Sequence, residues 1–138
     1  MPMHDLDRFV QAQASTYERA LAELRAGRKT GHWMWFVFPQ IEGLGRSPTA
    51  QHYAIAGLDE ARAYLAHPVL GPRLRECASA LLGVPDRSAE EILGGIDALK
   101  LRSSMTLFAL AAPEEEVFRA VLDRFHDGKP DPETERRL

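Results

Sequence analysis

Residues 6–24, LDRFVQAQASTYERALAEL, place apolar side chains at steps of three and four along the chain. Such steps put one stripe of side chains on a single face of an α-helix. Gly27 follows the stripe and can end the helix, because glycine adopts the left-handed conformation without steric cost. The pattern therefore predicts an amphipathic helix over residues 5–26. Its stripe consists of Leu6, Phe9, Val10, Gln13, Tyr17, Leu21 and Leu24.

Further helix starts are marked by capping residues. Ser88 and Glu91 fit a capping box, in which each side chain satisfies a backbone donor of the other residue. Ser47 and Asp131 each precede a proline, as at a helix start, and Asp97 is expected to cap the helix that follows it. With the apolar spacing, these signals predict helices over residues 48–55, 58–65, 72–82, 97–112 and 117–125, and shorter ones after Ser88 and Asp131.

The composition is that of one globular domain. The 138 residues are 45% hydrophobic and 27% charged, enough to bury a core without disulfides. We predict an all-α fold, a compact irregular bundle of about six or seven short helices, in a single domain over residues 1–138 with a polar tail from about 127.

Charge and cysteine content exclude several classes of function. A net charge of −3 without a basic block does not indicate a nucleic-acid polymer as partner. The single cysteine, Cys77, excludes an internal disulfide, and the histidines lack metal-ligand spacing, so neither a metal nor a cofactor is predicted. There is no apolar stretch of about 18 residues and no signal peptide, so we expect a soluble, cytoplasmic protein without a membrane partner. The oligomeric state is left open.

The most unusual stretch is GHWMWFVFPQ, residues 31–40, whose rings Trp33, Trp35, Phe36 and Phe38 lie within six residues. Periodicity does not decide between a buried strand and a buried short helix. The rings could form the core, because large rings bury much apolar area. They could also line a pocket for a planar ligand.

Polar residues beside the rings keep the pocket interpretation open. Lys29 and His32 precede the rings and Gln40 follows them, and a buried polar group needs a partner. Lys29 could bind a phosphate or carboxylate. Lys100, Ser103 and Ser104 crowd one predicted helix, where serine is a poor choice unless it serves close packing or a pocket wall. Their neighbours Arg102 and Thr106 add to that polar set.

Several motifs together resemble the bacterial family catalogued as domain of unknown function number 1810. They are residues 9–13 (FVQAQ), 31–40, Gly43-Leu-Gly45 with Ser47, 67–71 (HPVLG), and Asp97 with 100–108 (KLRSSMTLF). The resemblance covers nearly the whole chain and implies an all-helical fold, but no established activity. Some members carry the label calpastatin, which denotes a disordered protease inhibitor, whereas this composition is globular.

Residues 47–53, SPTAQHY, are also similar to a motif of a helical family that removes ADP-ribose from guanine, with Gln51 in place of that family's acidic residue. This similarity points to a nucleotide-like, ADP-ribose-related ligand. The expectation is a pocket near residues 31–40 that binds or hydrolyses a small phosphorylated or nucleotide-like molecule. Its predicted lining is Lys29, His32, Trp33, Trp35, Gln40, Ser47, Tyr53, Lys100, Ser103 and Ser104.

Candidates for catalysis in that pocket are His32, Lys29, Ser103 and Ser104, although the sequence does not show that the protein is an enzyme. The alternative is a non-enzymatic helical protein-interaction module. The two interpretations differ in a visible way. A ligand site requires these polar groups to converge on one cleft, whereas an interaction module requires an exposed apolar patch.

Overall fold

Helices dominate the computed structural model, which describes residues 5–138 and is 64% helical. The all-α prediction is confirmed. The described residues form ten helices, six of them with seven residues or more. They are α1 (Asp7–Ala14), α2 (Tyr17–Ala26), α3 (Met34–Val37), α4 (Pro48–His52), α5 (Leu58–Ala66), α6 (Leu70–Leu82), α7 (Ala89–Leu93), α8 (Gly95–Ala111), α9 (Glu116–Phe125) and α10 (Pro132–Arg136).

The central element is α8, which packs against α5, α7, α9 and α10. Its apolar residues are spread around the whole helix, as is typical of a helix surrounded by other elements. One hydrophobic core results, to which nearly every helix contributes. Its largest fully buried side chains are Trp33, Tyr64, Phe9, Phe38, Phe108 and Phe118.

Local sequence signals set several helix ends. The Ser47 and Asp131 side chains accept hydrogen bonds from the Ala50 and Thr134 amides, and Ser88 forms the predicted capping box with Glu91. Gly27 ends α2 in the left-handed conformation, with φ of 74°.

Several helices differ from the prediction. Helix α4 ends at His52 instead of Ile55, and α8 begins at Gly95 instead of Asp97. The helix expected over residues 5–26 is broken at Ser15 and Thr16, residues that favour non-helical conformations, into α1 and α2. Helix α6 begins at Leu70 instead of Pro72, because the Nδ1 atom of His67 accepts hydrogen bonds from the Val69 and Leu70 amides. These bonds satisfy donors that helix starts leave free.

The aromatic run forms a short helix and not a strand. Helix α3 covers Met34–Val37, and the chain then passes through an isolated parallel bridge between Ile41 and Ile55. Within residues 5–138, no helix is long and apolar enough to cross a bilayer.

Candidate functional site

Trp33 lies in the core, where it is fully buried. Its Nε1 atom donates to Oε1 of Glu23 at 3.0 Å, and the same oxygen accepts the Thr30 and Gly31 amides at 2.8 and 2.9 Å. Burial alone would raise the pKa of Glu23, but the hydrogen bonds from the Gly31 and Thr30 amides and from Trp33 lower it to about 2. The Trp33 indole is therefore held by the hydrogen bond from its Nε1 atom, and neither face of the ring is open to a ligand.

Lys29 is also engaged within the protein. Its ammonium group lies 2.8 Å from Oδ2 of Asp97 and donates to the Gly31 carbonyl at 2.5 Å, with only 8% of the side chain exposed. The prediction that Asp97 caps α8 is wrong. Gly94 occupies the cap position, and Asp97 binds lysines from the first turn of the helix.

Lys100 shares the carboxylate of Asp97. Its Nζ atom lies 3.6 Å from Oδ1 of Asp97 and 4.6 Å from the ring centroid of Trp35. Two ammonium groups thus share one carboxylate, and we call Lys29, Asp97 and Lys100 the lysine–aspartate trio. The trio carries one net positive charge. Lys100 is its more exposed lysine, at 22% against 8% for Lys29.

The hydroxyl-rich part of α8 mainly holds the C-terminal segment. Ser103 donates to Oδ2 of Asp131 at 2.8 Å, and the Thr106 hydroxyl accepts the Asp131 amide at 2.8 Å. The Arg102 guanidinium donates to the carbonyls of Lys129 and Pro130, each at 2.8 Å. We call these contacts of Arg102, Ser103 and Thr106 with residues 129–131 the α8 clamp. The clamp explains why polar residues occur in the middle of α8.

The remaining predicted residues are dispersed. Ser47 is an exposed helix cap, and the ring of Tyr53 packs against those of Phe9 and Phe36. Ser104 is fully buried, and its hydroxyl makes no hydrogen bond. His32 is exposed. The ten residues therefore do not converge on one cleft.

A smaller set does converge, on a cavity of about 330 Å³ beside α8. We call it the α8 cavity. Of the predicted residues it includes Gln40, Lys100 and Ser103. The complete lining is Gln40, Leu44, Gly45, Ile96, Leu99, Lys100, Arg102, Ser103, Asp131 and Glu133.

The apolar rim of this cavity was missed from the sequence. Ile96 and Leu99 are 74% and 65% exposed, the highest values among the large hydrophobic residues that the structure describes. Ile96 follows directly after Gly94-Gly95 and Leu99 lies three residues later, on a side of α8 away from the buried Leu101, Met105 and Phe108. Their separation from the apolar spacing of the buried face was the available signal.

The family of the chain follows from its similarity to known proteins. The profile described as "Protein of unknown function (DUF1810)" matches residues 3–138. The chain belongs to the DUF1810 family. Among solved structures, the conserved hypothetical protein Rv1873 from Mycobacterium tuberculosis is 55% identical, over 97% of this chain and 96% of that one, with a TM-score of 0.96. Among curated proteins, none matches the chain.

Several motifs that carried the resemblance to DUF1810 have structural roles in this chain. Gln13 of the FVQAQ motif is buried and donates to the Phe36 carbonyl at 2.6 Å and to the Tyr64 hydroxyl at 3.1 Å. In HPVLG, Nδ1 of His67 accepts the Val69 and Leu70 amides at the start of α6, and a Cβ atom on Gly71 would lie 2.1 Å from the Leu65 carbonyl oxygen. These contacts stabilise the packing of the helices in this chain, and none of the residues that make them lines the α8 cavity.

No group of three or more His, Cys, Asp or Glu side chains within residues 5–138 is arranged to hold a metal ion. The buried Cys77 is free, and burial raises the pKa of its thiol to about 12.

Proposed function

We propose that this protein binds a small organic anion in the α8 cavity, with phosphorylated and nucleotide-like molecules, including ADP-ribose derivatives, as the class to test first. The observation that carries the proposal is the sharing of Asp97 by Lys29 and Lys100. One positive charge of the trio lacks a carboxylate of its own, and Lys100 brings it to the wall of the cavity.

The chemistry of the rim supports an organic anion over an inorganic one. Leu44, Ile96 and Leu99 line the cavity next to Lys100, and two of them are mostly exposed. When a ligand covers exposed apolar side chains and removes them from water, the complex is stabilised by about 25 cal/mol per Å² of apolar surface buried. A ligand with an anionic group and an apolar or planar body would use both features.

Trp35 contributes through Lys100 and not as a stacking surface. The Lys100 ammonium lies over the Trp35 ring, and such a cation–π contact holds a flexible lysine in place. Because less side-chain freedom then remains to be lost, binding an anion at Lys100 costs less entropy.

The proposal is for binding and does not include hydrolysis. Ser103 is hydrogen-bonded to Asp131, and Lys29 is paired with Asp97. Ser104 is buried. None of these predicted catalytic groups combines a free nucleophile with a neighbouring base. We also propose a cytoplasmic location, where a free buried thiol such as Cys77 is usual.

The test is a titration of the protein with AMP and ADP-ribose, followed by backbone NMR shifts and thermal unfolding. Binding should shift the amide signals of Gly45, Leu99 and Lys100. A ligand at a hundred times its dissociation constant should stabilise the fold by about 2.7 kcal/mol, which raises Tm by several degrees.

Lys100→Met should weaken binding about tenfold or more, because it removes a charged partner of the anion. Lys129→Met is the matched control. It is exposed, does not line the cavity, and should bind as the natural chain does. If neither molecule shifts signals of the cavity residues, or if both lysine variants bind equally well, the proposal is wrong.

A second candidate, a protein-interaction module, is favoured by one observation, the exposure of Ile96 and Leu99. Two side chains cover far less than the roughly 800 Å² per partner of a typical stable interface, so a partner would have to extend beyond them. A partner captured from lysate should be lost in the Ile96→Ser, Leu99→Ser double variant and kept in Leu110→Ser, which alters a more distant exposed leucine of α8.

A further inference from the structure

The α8 cavity carries opposite charges on two of its walls. Lys100 lies on the α8 wall, whereas Asp131 and Glu133 come from the start of α10. Arg102 also lines the cavity, but its guanidinium donates to the carbonyls of Lys129 and Pro130. The cavity therefore offers a cation from one helix and carboxylates from another.

Asp131 is held in place as an anion. Its Oδ2 atom accepts the Ser103 hydroxyl at 2.8 Å, the Thr134 hydroxyl at 2.6 Å and the Thr134 amide at 3.3 Å. Burial raises the pKa of the Asp131 carboxyl, but hydrogen bonds from Thr134 and Ser103 outweigh that effect and hold the pKa below its ordinary value. The negative charge on this wall is thus present at neutral pH.

Glu133 adds a second carboxylate whose partners are weak. It pairs with Arg136 and Arg137, whose side chains are 71% and 40% exposed. Exposed ion pairs contribute little and are easily exchanged for another partner. A donor group on a ligand could therefore compete for Glu133.

Building on the proposed function, we infer that the ligand carries an anionic group at one end and an amino or other hydrogen-bond-donating group at the other, separated by a planar or apolar body. The anion binds at Lys100, the body contacts Leu44, Ile96 and Leu99, and the donor faces Asp131 and Glu133. Molecules with several negative charges bind less well, because part of their charge faces those two carboxylates.

Three probes that share one para-substituted benzene ring separate these contributions. They are 4-(aminomethyl)benzoate, which has both groups, 4-methylbenzoate, which has only the anion, and 4-methylbenzylamine, which has only the cation. Dissociation constants come from NMR shifts of the cavity amides at low salt. We expect 4-(aminomethyl)benzoate to bind about threefold or more tightly than 4-methylbenzoate, as for an exposed charge pair, and 4-methylbenzylamine to bind worst.

A pair of glutamate variants tests which residue contacts the amino group of the probe. Glu133→Gln should remove most of the preference for 4-(aminomethyl)benzoate over 4-methylbenzoate. Glu135→Gln lies on the same short helix but does not line the α8 cavity, so it should keep the preference. AMP should also bind more tightly than ATP in the natural chain.

The possible results separate the two claims. Equal binding of the two benzoates, an unchanged preference in Glu133→Gln, or tighter binding of ATP overturns this inference and leaves the anion site standing. Tightest binding of 4-methylbenzylamine, or no shift of cavity amides with any probe or nucleotide, overturns the inference together with the proposed function.

Discussion

Trp33 and Trp35 are two residues apart in one short aromatic run, but their surroundings differ. Trp33 is fully buried, and its indole nitrogen shares a glutamate with two backbone amides. Trp35 is only partly buried. A lysine lies over each ring, but only Lys100, the one over Trp35, lines the open α8 cavity, whereas Lys29, over Trp33, does not. The same residue type therefore serves stability at one position and supports a candidate binding surface at the other.

The sharpest test of this contrast is to truncate each indole. Trp33→Ala should lower the free energy of unfolding by about 3–5 kcal/mol, because it leaves a large cavity in the core. Trp35→Ala should cost only about 1–2 kcal/mol, since less apolar area is buried there. Urea denaturation of both variants measures the difference. Similar losses would show that the two rings are equally structural.

The two lysines beside these rings should differ in the same direction. Lys29→Met removes the nearer partner of Asp97 and should destabilise the fold by about 2–3 kcal/mol, as for a largely buried pair that loses one member. Lys100→Met should cost less than about 1 kcal/mol, because its contact with Asp97 is longer and more exposed. Thermal unfolding at low salt compares them. A larger loss for Lys100→Met would reverse the roles assigned here.

Two glycine substitutions compare the tightly packed surroundings of Trp33 with the open start of α8. On Gly31 a Cβ atom would lie 2.9 Å from Cδ1 of Trp33, so Gly31→Ala should cost about 1–3 kcal/mol. On Gly95, at the open start of α8, a Cβ atom would meet nothing within 4 Å. Gly95→Ala should therefore stabilise the protein by about 0.5 kcal/mol through its better helix propensity. Opposite signs in the unfolding free energies are the expected result.

The last effect concerns the stability of the protein in acid and depends on Glu23. Its pKa is about 2 in the folded protein, below the ordinary 4.5. The stabilisation is complete above pH 4.5 and is lost as the pH falls toward 2, because the unfolded chain binds the proton first. Glu23→Gln should cost about 1–2 kcal/mol at pH 7 and make stability less dependent on pH between 5 and 2.

Glu18→Gln is the control for that experiment, because this exposed glutamate lies in the first turn of the same helix. It should keep the natural slope of stability against pH over that range. A natural slope in Glu23→Gln as well would mean that other carboxylates govern acid unfolding.

Local signals explain how much of the fold the sequence could predict. The capping box at Ser88 and the left-handed glycine at Gly27 depend only on neighbouring residues, and both appear as expected. The break at Ser15 and Thr16 was not predicted, because the apolar stripe runs through it without a change in spacing.

The candidate site was harder to predict because its contacts join distant parts of the chain. Nothing near Lys29 indicates that Asp97 is its partner, and nothing near Ser103 indicates that it holds Asp131. Sequence analysis could identify the polar residues as unusual. It could not tell which of them the fold would use internally, since that depends on tertiary packing.

The α8 clamp also shows that the last ten residues are part of the folded domain. By composition, residues 129–138 resemble a dispensable polar extension. Yet Thr134 is fully buried, and Ser103 and Thr106 make contacts with Asp131. Removing the residues after Gly128 would take Asp131 away from the Ser103 and Thr106 hydroxyls. It would also remove one wall of the α8 cavity. Fusion partners and labels are therefore better attached beyond Leu138 than in place of this segment.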